Sequence, residues 1–264
     1  MTKQLPKPIN KQQNQILTLL YKFRYLTVNQ LLKYFNHKDP HRIRVWLNDL
    51  KKRKCIAVIK DDTDPTISHV YCLDTKARYI LEKNKDIDKD FLGRLYKEKK
   101  YKENFRNHNS FLFDIYLFFL SQGEKNSTLH FLTQQELTGY DFFPEKLPDT
   151  YIAVETKKGI DKYFLELFDD YQNKQSPGSI RFHTRKYLKF SENGDWQANT
   201  NNSPFPTVLF VFPNERRRQF AHHYGGAKIS KTLQDISFFS TTQDMVKFSK
   251  NGLNIWEQIK EKDL

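Results

Sequence analysis

Cysteine is scarce in this sequence: there are two, Cys55 and Cys72, and neither belongs to a Cys-x-x-Cys pair. That usage argues against a structural zinc site and against a disulfide framework, and it suits a reducing cytoplasm. Long hydrophobic runs are missing as well. No stretch of about eighteen apolar residues occurs, so no membrane span is expected, and Met1-Thr2-Lys3-Gln4 leads into no apolar segment of the kind export requires. The histidines, at 37, 41, 69, 108, 130, 183, 222 and 223, form no His-x-His pair, which leaves a histidine-cluster metal site paired with a tyrosine nucleophile without support. No Gly-x-x-x-x-Gly-Lys-Ser/Thr loop is present to drive an ATP motor.

Acid is the other shortage, and it is local. The whole chain carries 44 Lys and Arg against 31 Asp and Glu, a net +13, but residues 1–60 hold fourteen basic residues against two acids, Asp39 and Asp49. Nearly all of the excess charge therefore sits in the N-terminal part, which reads as a docking surface for a polyanion. What the chain has in plenty is aromatic, 22 Phe and 14 Tyr, the mark of an aromatic-packed core.

Residues 11–23 read as a helix, with Ile16, Leu19 and Leu20 forming a stripe at three-to-four spacing. Thr27 caps a second helix over residues 28–35, and Asp39-Pro40 opens a third that continues to about Lys52. Ile43, Leu47 and Leu50 share one face of that third helix, with Trp46 beside them, leaving Arg42, Arg44, Val45 and Asn48 turned elsewhere. Residues 55–59 and 69–73 read as two strands joined by a polar turn at 61–66. Three helices followed by a hairpin make a winged helix, whose third helix enters a major groove while flanking basic groups hold phosphates. The expected contacts to double-stranded DNA are Lys38, His41, Arg42, Arg44, Lys51, Lys52 and Arg53. The alternative is a protein-binding winged helix whose lysines are a solvated face. The three aspartates of the turn keep the hairpin tip itself away from phosphate.

Residues 75–83 look like a closing helix and 84–106 like a connector of mixed charge, which divides the chain into domains 1–90 and 91–264. Residues 110–120 are apolar almost all round, a buried helix preceded by His108. Strand-length apolar runs follow at 130–133, 150–154, 163–168 and 207–212. Lys157-Lys158-Gly159 turns the second into the third as an antiparallel hairpin, and the fourth is continuous, as a strand buried on both faces should be. A basic helix over 214–222 and a final helix ending near Lys260 complete an α/β (α+β) layer domain.

Within LPDTYIAVETKKGIDKYFLELFDD, residues 147–170, Asp149 opens one hairpin strand and Glu166 sits seventeen positions later inside its neighbour. Carboxylates are usually kept out of strands. Two that converge at one end of a sheet offer the hard oxygens that Mg²⁺ or Mn²⁺ takes, with coordination left for water and a phosphate. Glu136 is either a third oxygen or a solvated strand-end glutamate. His108 either positions water or phosphate or bonds to backbone at a helix start. Arg181, Arg185 and Lys189 form a phosphate-binding strip around Lys186, and Arg216-Arg217-Arg218 is either a second DNA-contacting cluster, through Arg217, or a solvated helix face.

Pro148-Asp149 followed by an acidic residue in a later strand resembles the PD-(D/E)xK nuclease core. With the basic head, His108, Phe164-Leu165-Glu166, Pro206-Thr207-Val208-Leu209-Phe210-Val211 and Trp256 added, the chain from about Gln12 to Trp256 is similar to the replication-relaxation family, which includes the MobC-type plasmid relaxases. The resemblance implies an N-terminal winged helix followed by a restriction-endonuclease-like mixed-sheet domain. It implies a cytoplasmic protein of mobile DNA that nicks a plasmid origin of transfer, with other mobilisation or coupling proteins as partners. It places Asp149 and Glu166 at the metal; Lys186, His108 and Glu136 are the further residues expected to take part in catalysis. One departure stands out: two places after the glutamate, where a charged residue is usual, this chain has Phe168, and Lys186 is the nearest later lysine that a helix brings back over the sheet. That departure keeps a second function open, a non-catalytic DNA-binding accessory or replication-control protein. A third, a repressor with an effector domain, has no effector motif behind it.

Overall fold

The computed structural model describes residues 8–60, 69–85, 87–124, 126–229, 235–249 and 254–260. The chain divides into two compact units, Met1–Phe113 and Asp114–Leu264.

In the first unit, helix α1 (Lys11–Phe23) starts at a reciprocal cap: the Asn10 side chain accepts from Gln13 N–H at 2.8 Å while Asn10 N–H donates to Gln13 Oε1 at 3.0 Å. Its buried stripe includes Ile16, Leu17, Leu20 and Phe23. A two-residue strand, β1 (Leu26–Thr27), leads into α2 (Val28–Phe35), which Thr27 and Gln30 cap in the same way. Helix α3 (Pro40–Lys52) opens at Asp39, whose side chain accepts from His41 N–H at 2.8 Å. It buries Ile43, Trp46, Leu47 and Leu50, so its period leaves His41, Arg42, Arg44, Val45 and Asn48 exposed. Strands β2 (Ile56–Ile59) and β3 (Val70–Leu73) pair antiparallel, and β1 joins the other edge of β3 to make a three-stranded sheet. The turn at 61–66 lies outside the described residues.

A 3-10 turn (Thr75–Ala77) runs into α4 (Arg78–Leu81), and α5 (Lys89–Gly93) and a second 3-10 turn (Leu95–Lys100) precede α6 (Glu103–Gln122). Residues 84–106 are less loose than their mixed charge suggests. Glu98 is buried there against Arg24, with Nη2 to Oε1 at 2.5 Å, and the Tyr25 hydroxyl donates to the Glu98 carbonyl at 2.8 Å. The Arg24 guanidinium also lies 4.7 Å from the Phe105 ring centroid. These contacts tie the segment to α1, and the compact division falls inside α6, well beyond residue 90.

The second unit is built on a six-stranded mixed sheet in the order β4-β5-β6-β7-β8-β9. Strand β4 (Thr128–Thr133) and a single helical turn, α7 (Gln134–Leu137), precede the antiparallel hairpin of β5 (Thr150–Thr156) and β6 (Gly159–Leu167). Helices α8 (Pro177–Glu192) and α9 (Asp195–Asn199) then carry the chain to β7 (Thr207–Phe212), parallel to β6. Helix α10 (Glu215–Ile229) leads to β8 (Phe238–Thr242), parallel to β7, as crossover connections allow. After α11 (Gln243–Phe248), the final helix expected near Lys260 is not what forms: β9 (Glu257–Gln258) pairs antiparallel with β8. Backbone pairing at the sheet edge has prevailed there over the local helical pattern.

Successive residues of a strand face opposite sides of the sheet. On β6, Phe164 and Glu166 therefore share a face, and Phe164 stacks on Tyr187 of α8 with centroids 5.6 Å apart. The intervening Tyr163 faces the other way, 5.8 Å from Phe119 of α6. Helix α8 buries Ile180, His183, Thr184, Tyr187 and Phe190 at helical spacing, and its exposed side carries Arg181, Arg185 and Lys189. Among the described residues, no helix is long and apolar enough to cross a membrane.

Candidate functional site

Register explains why two distant carboxylates meet. The β5–β6 register begins at Thr150 with Leu165, so Asp149 just before it and Glu166 just after Leu165 lie at the same end of the hairpin, where both contact Lys174. Asp149 is tied to β6 from outside the ladder, its N–H donating to Leu165 O at 3.1 Å and its Oδ2 accepting from Leu167 N–H at 2.6 Å. Glu166 lies within a central strand and is fully buried, at 0 % exposure.

A carboxylate in such a place needs charged partners, and α8 with its leading turn supplies them. The Lys174 ammonium sits between the two acids, 2.5 Å from Asp149 Oδ2 and bonded to Glu166 Oε2. Lys186 Nζ reaches Glu166 Oε1 at 2.5 Å and the Lys146 carbonyl at 3.2 Å, and the Tyr187 hydroxyl donates to Glu166 Oε1 at 2.8 Å. His183 Nδ1 lies 3.1 Å from Glu166 Oε1, but neither ring nitrogen is aligned for a hydrogen bond. Two carboxylates and two ammonium groups balance the charge.

Burial by itself raises the Glu166 pKa, but Lys174, Lys186 and His183 outweigh it and hold the carboxyl well below its ordinary value. Burial likewise opposes charge on Lys174, yet Asp149 and Glu166 together raise its pKa. For Lys186 and His183 burial wins over the attraction of Glu166, and both are lowered. Tyr187 is pushed well up by burial and by the carboxylate it bonds.

Not every expected residue joins this cluster. Glu136 does not: its Oε2 accepts from Thr133 N–H at 2.8 Å and from the Thr133 hydroxyl at 2.9 Å, closing the cap of α7. His108 is buried in the first unit, on α6. Phe168, where a charged residue was to be expected, turns into the core and stacks on Phe212 at 4.8 Å. The Lys174 Nζ lies 5.9 Å from the Phe168 centroid. Among the expected DNA contacts, Lys38, His41, Arg42, Arg44, Lys51 and Lys52 are exposed, whereas Arg53 is tied to Asp49 at 2.8 Å. Arg217 is half-buried on α10, and its neighbour Arg218 is paired with Glu215 and Glu257.

Sequence reasoning missed Lys174, Tyr187 and His183. His183 and Tyr187 carried a signal, because they fall on the same helical stripe as Ile180 and Phe190. Lys174 carried none, being the end of a polar turn.

The donor set can be tested against a divalent cation. Asp149 and Glu166 both direct an oxygen at one point, and the Lys174 ammonium stands there. Mg²⁺ is commonly held by one or two carboxylates completed by water and phosphate oxygens. Among the described residues no group of three or more His, Cys, Asp or Glu gathers. Two carboxylates fit an ion completed by water and substrate oxygens, at a point that the Lys174 ammonium holds.

No protein-family model and no curated protein matches the chain. Among solved structures it is similar to the restriction endonuclease FokI, at 8 % identity and a TM-score of 0.31 over 89 % of this chain. The chain spans 42 % of that protein's length. A likeness this loose carries neither fold nor activity across.

Proposed function

We propose that this chain acts on double-stranded DNA, its first unit docking as a winged helix and its second, a restriction-endonuclease-like core, nicking a strand. The observation that carries this reading is the convergence of Asp149 and Glu166 at one end of the β5–β6 hairpin, with both directed at the Lys174 ammonium. The three helices and three-stranded sheet of the first unit, with Arg42 and Arg44 exposed on α3, support the docking role. The finer reading is a relaxase of plasmid or mobile-element DNA, working in the cytoplasm at an origin of transfer alongside other mobilisation or coupling proteins.

In this reading Asp149 and Glu166 hold Mg²⁺ or Mn²⁺, whose contribution when bound is to polarise the scissile phosphate and acidify a water. The chain's own groups do the rest. Lys186 places positive charge beside the carboxylates, where charge develops on the phosphate. Tyr187 fixes the Glu166 carboxylate through its hydroxyl. Arg181, Arg185 and Lys189, exposed along α8, meet flanking phosphates.

A second reading, a non-catalytic DNA-binding accessory or replication-control protein, is favoured by one observation: the point between the acids is filled by Lys174. Supercoiled plasmid carrying the cognate origin separates the two. Metal-dependent nicking that disappears in Asp149→Ala and Glu166→Ala supports the enzyme. Nicking unchanged in both variants eliminates this site, and DNA binding without nicking by the wild type establishes the accessory.

A further inference from the structure

Lys174 and Lys186 are not equivalent. Lys186 projects from the regular part of α8 and touches Glu166 alone of the two acids. Lys174 touches both, and it does so from a turn rather than from a helix. In that turn, Tyr171–Asn173, two consecutive residues with side chains, Gln172 and Asn173, take positive φ angles of 55° and 54°. That region is unfavourable for residues other than glycine, with asparagine the most tolerant. The turn is held by Asp169, whose Oδ1 accepts from Tyr171 N–H and whose carbonyl accepts from Gln175 N–H, both at 2.9 Å. The bend brings a long, unbranched side chain inward until 8 % of the residue is exposed, with its charge at the point where both carboxylates converge.

An ammonium and a divalent ion cannot occupy that one point together, and with Lys174 in place the repulsion offsets part of what the ion would gain from the acids. We infer that Lys174 is a built-in plug of the cation site: its ammonium holds Asp149 and Glu166 together in the free protein, and a divalent ion enters only as this side chain withdraws. The inference rests on reading Asp149 and Glu166 as the cation-holding pair. It has two consequences. The unit folds around the acids with no metal bound, since their charge is already matched. Metal affinity is set by competition with a tethered ammonium rather than by the carboxylates alone.

The test uses the whole chain and reads binding, not cleavage. Mn²⁺ is titrated calorimetrically into the wild type, Lys174→Met and Asp149→Ala. Removing the competing charge should tighten Mn²⁺ binding by about tenfold or more in Lys174→Met, while Asp149→Ala abolishes it. Because two acids left without their lysine can unsettle the fold, a second measurement is made on the wild type. Amine acetylation read by mass spectrometry should find Lys174 protected in chelator and reactive in saturating Mg²⁺. Equal Mn²⁺ affinity in wild type and Lys174→Met, or Lys174 equally protected with and without Mg²⁺ bound, overturns the plug and leaves the acid pair standing. Absence of Mn²⁺ binding in both proteins overturns the pair and the plug with it.

Discussion

The Tyr187 hydroxyl donates to Glu166 Oε1 at 2.8 Å, from a ring that is fully buried and stacked on Phe164. The phenol thus reaches the carboxylate from inside the core, where no water replaces it. Tyr187→Phe keeps the stacking and removes the donor, and a hydrogen bond to a charged group is worth about 1.5–3 kcal/mol. The expected result is a loss of stability of that size in urea denaturation with the slope unchanged. A variant as stable as the wild type would show that Glu166 does not depend on this bond.

Acid should weaken the second unit through Glu166. Its folded pKa lies well below the ordinary 4.5, burial being outweighed by the lysines, so near and below 4.5 the unfolded chain binds the proton first. The stabilisation is complete above that value and is lost as pH falls through the folded pKa. The slope from this one group is at most about 1.4 kcal/mol per pH unit. Glu166→Gln should flatten the acid limb of a stability–pH curve. An unchanged limb would contradict the assignment.

In the first unit, Glu98→Ala strands the Arg24 guanidinium against Phe105 and Tyr101 without its carboxylate. Breaking a largely buried pair from one side, discounted because Arg24 keeps some exposure, should cost about 2–3 kcal/mol. Glu98→Gln, which retains an acceptor, should cost less. Equal losses would mean that charge plays no part.

Much of this was legible in the sequence where the pattern is local. Thr27 and Asp39-Pro40 announced α2 and α3, and the continuous run at 207–212 announced a strand covered on both faces. Hairpin register made the meeting of Asp149 and Glu166 readable once Lys157-Lys158-Gly159 was taken as the turn. Lys186 arrives at Glu166 on a helix, as its spacing allowed. What failed was non-local. Lys174 depends on positive φ angles at Gln172 and Asn173 that no periodicity encodes. Strand β9 forms because β8 offers an open edge. The mixed charge of 84–106 hid a single buried acid, Glu98, and burial of one residue decides where the segment belongs.

Helix α3 should carry DNA affinity in a salt-dependent way. Arg42, Arg44, Lys51 and Lys52 are exposed on it, whereas Arg53 is tied to Asp49 at 2.8 Å. Each of them that meets a phosphate should, on changing to Ala, lower the slope of log affinity against log salt by about 1. Arg53→Ala should change that slope less. The check is fluorescence anisotropy on duplex DNA across a salt series. Slopes unaffected by all four substitutions would move the docking surface elsewhere.

The claim on which the rest depends is that Asp149 and Glu166 jointly hold one cation. Crystals soaked in Mn²⁺ and measured at the manganese absorption edge test it most directly. The expected result is a single anomalous peak within ligand distance of both carboxylates, with the Lys174 side chain displaced from between them. A protein that nicks plasmid DNA in Mn²⁺, yet shows no peak at this pair or shows one elsewhere, would contradict it.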